Sequence, residues 1–279
     1  MSGAARGDVP DAATAIVLGA VAGDVIGSPY ERHSIKHTEF PLFTERSRFT
    51  DDTVLTVATA EVLVGGGSYA KAYREWARRY PHAGFGGRFR AWFRSEDAPA
   101  YNSLGNGSAM RVSPVAFAFE TADEVLAEAE RSAAVTHDHP EGIRGAQATA
   151  LATFLARKRV PRAEIRQEIA ARFGYDLSRG VEEIRREYRF DVTCQGSVPE
   201  ALVAFLDADD FEGAVRAAVS LGGDADTQAA IAGGAAAAWD GGVPSVVAGE
   251  VWGRLPEDMR EVLSAFARRF IGTAGAGKE

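Results

Sequence analysis

The chain has 279 residues, 39 acidic against 31 basic side chains, a formal net charge of -8 and one cysteine, Cys194. A length of that order suits one large domain, and mixed charges with an acidic excess exclude bulk attraction to a nucleic-acid backbone. The lone thiol excludes an internal disulfide and a zinc site built from several thiolates.

In chain order, residues 1–10 are small and polar and are expected to form a loose tail. The N-terminus lacks the basic start and apolar run of an export signal, and no stretch reaches the roughly 18 apolar residues of a membrane span. A cytoplasmic location, with no membrane partner, is therefore expected. The first helix is predicted over 11–26, where Gly19, Gly23 and Gly27 recur every four residues. That spacing puts them on one face and lets another backbone approach closely. Helices follow over 52–64 and 69–79, separated by the Gly65-Gly66-Gly67 turn. A helix over 122–133 starts at Thr121 with Glu124 at capping-box spacing, and Asp209 with Glu212 gives a similar start to 211–220. Pro140, Pro161 and Pro256 precede predicted helices at 141–156, 162–173 and 257–270, as suits proline at a first helical position. Helices over 198–206 and 226–239 complete the set; the stretch 185–192 is compatible with an extended run as well as a helix, and 272–279 is a second tail. Apolar residues at three- and four-residue spacing far outnumber alternating ones. The expected fold is all-α, a single compact multi-helix domain over 11–271. No heptad pattern or apolar outer stripe marks an oligomer, so a monomer is expected.

Two short acidic runs carry the chemistry. Thr50-Asp51-Asp52-Thr53 precedes an apolar helix, and Asp224-Ala225-Asp226-Thr227 follows Gly222-Gly223 and opens an alanine-rich one. Capping alone accounts for an oxygen at each helix start, where acids also complement the helix dipole. Each run holds more carboxylates than a cap uses, however, and hard oxygen donors suit Mg²⁺ or Mn²⁺ better than zinc. If the two starts converge, their carboxylates repel unless cations lie between them. Asp24, inside the apolar glycine face, reads as a structural anchor, and Glu31 as a loop carboxylate. The stretch Tyr101-Asn102-Ser103-Leu104-Gly105-Asn106-Gly107-Ser108-Ala109-Met110-Arg111 is either a turn or a phosphate cradle of backbone amides, assisted by Ser103, Asn106 and Arg111. His137-Asp138-His139 lacks a third zinc ligand, and Asp138 before Pro140 reads as a helix cap. Cys194 reads as a small buried residue.

Together, Gly23-Asp24-Val25-Ile26-Gly27 with Glu31, Thr50-Asp51-Asp52-Thr53, Gly105-Asn106-Gly107-Ser108-Ala109-Met110-Arg111, Thr136-His137 and Gly222-Gly223-Asp224-Ala225-Asp226-Thr227 resemble, in order, the ADP-ribosylglycohydrolase family. The resemblance runs over residues 16–234, and the stretches 80–87 and 139–142 are similar to its bacterial members. It implies an all-α fold around two Mg²⁺ or Mn²⁺ ions and a hydrolase that removes ADP-ribose from a modified protein or small conjugate by cleaving the bond at the ribose anomeric carbon. By position it implies Thr50, Asp51, Asp52, Asp224, Asp226 and Thr227 as metal ligands and Glu31, Asp52 and Asp226 as catalytic carboxylates. Ser103, Gly105, Asn106, Gly107 and His137 match residues that contact ADP-ribose. Hydrolysis of O-acetyl-ADP-ribose or another conjugate, and a catalytically silent ADP-ribose-binding module, are the alternatives. Neither the linkage cleaved nor the general base is legible from spacing.

Overall fold

A helix made largely of alanine and glycine can bring its backbone against that of another helix, and one such pair organises this molecule. The computed structural model describes residues 9–272; the expected tails, apart from Val9, Pro10 and Gly272, lie outside the described residues. Its helices are α1 (Ala12–Val17), α2 (Gly19–Gly27), α3 (Asp51–Gly65), α4 (Tyr69–Arg79), α5 (Gly87–Arg94), α6 (Val115–Ala118), α7 (Ala122–Ala134), α8 (Pro140–Arg157), α9 (Arg162–Phe173), α10 (Val181–Glu187), α11 (Cys194–Asp207), α12 (Phe211–Ser220), α13 (Ala225–Asp240), α14 (Ser245–Trp252) and α15 (Glu257–Phe270). Among the described residues the only β pairing is an isolated antiparallel bridge between Gly105 and Thr193. The all-α expectation holds, and no described helix is long and apolar enough to cross a membrane.

Every residue of α13 from Ala225 to Ala238 is buried, as expected of a helix without a polar face. It packs against α2, α8, α11 and α12, while α3 packs on α4 and α15. The glycine ladder of α2 makes its contact with α13 possible. A Cβ at Gly23 would lie 2.0 Å from the Ala229 carbonyl oxygen, one at Gly19 would lie 2.4 Å from Ala237 Cβ, and one at Gly27 would lie 2.5 Å from the Ala225 carbonyl oxygen. The pairing is antiparallel, so the C-terminus of α2 meets the N-terminus of α13.

Local signals explain both the agreements and the departures. The predicted bounds of 69–79, 162–173, 211–220 and 257–270 coincide with α4, α9, α12 and α15, and the Thr121–Glu124 capping box is formed at α7. The helix predicted over 11–26 is broken at Leu18 into α1 and α2. Asp210, rather than Asp209, caps α12 by accepting from Gly213 N at 2.8 Å. His139 caps α8 through Nδ1, which accepts from Glu141 N at 3.0 Å; Asp138 instead accepts from Asn102 N at 2.7 Å. α11 starts upstream of the expected 198, because Thr193 Oγ1 accepts from Gly196 N at 3.1 Å, and Pro199 sits inside the helix. Four helices were not expected. α5 starts at the second glycine of Gly86-Gly87 and is held by burial of Phe89, Trp92 and Phe93, α6 is a single turn, α14 has two β-branched valines in its first turn, and α10 takes in residues 185–187 of that stretch.

Candidate active site

Where α2 ends, three helix termini meet. Gly27 lies against the start of α13, with its missing Cβ 2.6 Å from Asp226 Cα. One turn earlier, fully buried Asp24 reaches the start of α3: its Oδ2 accepts from Thr50 N at 2.9 Å and Thr53 N at 3.1 Å, and its Oδ1 accepts from Thr50 Oγ1 at 2.8 Å. Asp24 thus satisfies amides that a helix start leaves free, and it does so from another helix. Through α2, the two acidic runs far apart in sequence are brought to one place.

They line a cleft of about 410 Å³ together with every other residue singled out for the site: Glu31, Ser103, Gly105, Asn106, Gly107 and His137. Gly84 brings the 81–86 loop against it. Its φ of +116° and a missing Cβ 2.9 Å from Asp51 Oδ1 both require glycine, and Asp51 N donates to Ala83 O at 2.8 Å. At the other run Gly222 has a φ of +70°, and a Cβ at Gly223 would lie 2.3 Å from the Tyr188 ring.

The floor is a buried nest of like charges. Burial, then Asp24, with Asp224 and Glu31 adding to it, pushes the Asp51 carboxyl up to about 8. Burial, followed by the neighbouring carboxylates, holds Asp52 and Asp226 well above the usual range, and burial also raises Asp224. Asp24 rises to about 6 by burial, against four hydrogen bonds that favour its ionised form. These shifts state in free-energy terms that the carboxylates cannot all be charged unless cations join them. Asp52 Oδ1 is fully buried without a hydrogen-bond partner, and Thr227 Oγ1, 3.8 Å from Met110 Sδ, stands beside the Asp52 and Asp224 carboxylates. An excess of hard, under-used oxygens fits divalent Mg²⁺ or Mn²⁺. Among the described residues, no three acidic, histidine or cysteine side chains stand close enough together to form a ligand set by themselves; threonine hydroxyls stand beside the carboxylates as further donors.

The opposite wall is the 103–108 loop. The segment after α10 pins it: Asn106 N donates to Val192 O at 2.8 Å, Cys194 N donates to Leu104 O at 2.9 Å, and buried Cys194 Sγ lies 3.0 Å from Gly105 O. Burial pushes that thiol up to about 12, which suits a packing residue and not a nucleophile. The Asn106 amide is committed to the acidic wall, donating to Asp224 Oδ2 at 2.7 Å. Arg111, a candidate phosphate contact from sequence, is instead fully buried, stacked 4.2 Å over Tyr73 and donating to Ser132 O and Thr136 Oγ1.

Sequence reasoning missed the rim. Arg32, Arg48 and Arg88 line the mouth with Tyr101, Phe190 and Val192. Arg88 stacks 4.9 Å from Tyr101 and donates to its carbonyl. Phe190 is 53% and Val192 48% exposed, large apolar side chains left to solvent at the edge of a polar cleft. Arg32 next to Glu31, and Arg48 two residues before Thr50, were legible as neighbours of motifs; Phe190 carried no motif.

Residues 5–278 match the family model described as ADP-ribosylglycohydrolase. The chain belongs to the ADP-ribosylglycohydrolase family. Like other members it is a hydrolase of ADP-ribosyl glycosidic bonds. It is similar to ADP-ribosylhydrolase ARH3 of Mus musculus, 26% identical over 305 residues that cover 81% of this chain and 82% of that one. To ARH3 of Homo sapiens it is 29% identical over 175 residues, 50% of this chain and 48% of the relative. A solved structure described as an ADP-ribosylglycohydrolase-related protein complex superposes with a TM-score of 0.67 at 25% identity, covering 93% of this chain and 98% of the other.

Proposed function

We propose that this protein removes ADP-ribose from a modified protein or small conjugate in a hydrolysis that depends on two Mg²⁺ or Mn²⁺ ions. The observation that carries the reading is the meeting of Thr50-Asp51-Asp52 with Asp224-Ala225-Asp226-Thr227 on one cleft floor, with buried carboxylates that need cations. Thr50, Asp51, Asp52, Asp224, Asp226 and Thr227 would hold the ions. Divalent cations there supply Lewis-acid chemistry, orienting ribose hydroxyls and making water more acidic.

The rest of the work falls to the chain. Cleavage at the anomeric carbon develops oxocarbenium character, which a carboxylate close to the ribose stabilises. Glu31, Asp52 and Asp226 are the carboxylates from which the base that deprotonates the attacking water is drawn. The 103–107 loop and the His137 ring hold the pyrophosphate and its ribose, and Arg32, Arg48 and Arg88 at the rim favour an anionic ligand. The apolar Phe190 and Val192 offer cover for a flat base.

The test is calorimetry of ADP-ribose with and without chelator, run beside release assays on arginine-, serine-, acetyl- and nucleobase-linked ADP-ribose. Cation-dependent binding with turnover of at least one conjugate is expected. Cation-dependent binding with no turnover of any would make the protein a binding module, and binding indifferent to chelator would sink the metal site.

A further inference from the structure

We propose that Arg111 and Thr136 are positioning residues that fix His137 as a neutral ring protonated at Nε2, so that this N–H is a permanent hydrogen-bond donor facing the 105–107 loop. The three side chains form a buried row. Arg111 and Thr136 are fully buried and His137 is 5% exposed. Arg111 Nη2 donates to Thr136 Oγ1 at 2.9 Å and to Ser132 O at 3.0 Å, and Thr136 Oγ1 lies 2.7 Å from His137 Nδ1.

Donor counting assigns the protons. A threonine hydroxyl has one proton to give and two lone pairs. Arginine has no acceptor, so Thr136 Oγ1 spends one lone pair on Arg111. If Nδ1 carried a proton it would take the second lone pair, and the hydroxyl proton would be left in a buried place with His137 as its sole other neighbour. If Nδ1 is bare, the hydroxyl donates to it and both the Thr136 hydroxyl and His137 Nδ1 are satisfied, while Arg111 Nε and Nη1 lack a partner in either arrangement. An orphaned buried donor is destabilising, which decides between the two arrangements.

The same row keeps the ring uncharged. An imidazolium would point Nδ1–H at an oxygen already facing the Arg111 cation. Burial first, then Arg111 and Arg88, hold His137 well below its usual range, and the Tyr101 ring lies with its centroid 6.1 Å away. Nε2 meanwhile faces the loop: a Cβ at Gly107 would lie 3.2 Å from it and one at Gly105 3.7 Å. Glycine at both positions leaves the space over Nε2 open, so the donor is available to an acceptor oxygen lying along the loop. A fixed neutral donor suits an oxygen shared between phosphate and ribose, because it needs no reorientation on binding.

The ligand half of this inference rests on the ADP-ribose reading of the cleft; the proton assignment does not. Long-range ¹H–¹⁵N spectra of the histidine rings at pH 7, with His137 assigned by its absence in His137→Gln, read the tautomer in the wild-type protein. The Nε2–H pattern is expected; an Nδ1–H pattern or an imidazolium would overturn the proposal without need of any variant. Thr136→Val keeps the shape and removes the hydroxyl, so His137 should lose its single-tautomer pattern and ADP-ribose affinity should fall about tenfold at an unchanged Mg²⁺ requirement, with Thr136→Ser restoring both. A Thr136→Val protein with the wild-type ring pattern would also overturn it. Failure of the wild-type protein to bind ADP-ribose at all would sink the ligand reading, while the ring spectra still decide the relay.

Discussion

The α2–α13 contact and the acid floor at its end share the same two helices and are built on opposite principles. Along the contact, glycine and alanine remove side chains until backbones touch, and the interface gains from close packing. At its end, five residues beyond Gly19, Asp24 opens a cluster in which carboxylates are buried beside one another and an oxygen of Asp52 has no partner. The first region follows the rules of a stable core. The second departs from them, as sequences do where function and not stability sets the residues.

That contrast can be broken from either side. The largest effect on folding is expected from Gly23→Ala or Gly23→Val, because even a Cβ would stand 2.0 Å from the Ala229 carbonyl oxygen. Backbone has to move, and thermal denaturation should show a loss well above the roughly 1–3 kcal/mol of ordinary overpacking, or no folded protein. The largest effect on activity is expected from Asp226→Ala, which should lose cation binding and ADP-ribose release together by about a thousandfold or more while the metal-free protein stays folded; turnover near the wild-type rate would remove the site. Asp226→Asn sharpens the point, since it should abolish activity and yet raise the melting temperature of the metal-free protein by relieving buried like-charge repulsion.

A smaller effect follows from pH. The folded-state carboxyl of Asp51 sits at about 8 against 3.8 unfolded, so its neutral form favours the fold. That contribution is complete below about pH 4 and is lost as pH rises through 8. Metal-free protein should therefore lose several degrees in melting temperature between pH 5 and 8, and saturating Mg²⁺ should flatten that slope; a slope unchanged by Mg²⁺ would count against cations on the floor. The smallest effect is expected from Gly84→Ala, where a φ of +116° and 2.9 Å to Asp51 Oδ1 predict a stability cost of about 1–2 kcal/mol and a drop in activity as Asp51 is displaced.

Much of both regions was legible in the sequence for physical reasons. Four-residue glycine spacing can be read as a close helix contact without knowing the partner, and paired carboxylates at two helix starts exceed what capping needs. What stayed hidden depends on tertiary placement. α5 and α14 are held by burial of Phe89, Trp92, Val247 and Val251 and not by their own propensity. The cap of α12 moved from Asp209 to Asp210 because both residues suit the role. Arg111 looked like a phosphate ligand beside a glycine-rich loop, and only the position of Thr136 and Tyr73 shows that its guanidinium turns inward.

The most direct measurement is anomalous diffraction from crystals grown with Mn²⁺. Two peaks between the α3 and α13 termini, each within coordination distance of an Asp52 or Asp226 oxygen, are expected. An empty floor with saturating Mn²⁺, or peaks only on the outer surface, would contradict the claim that these two helix starts cage the cations.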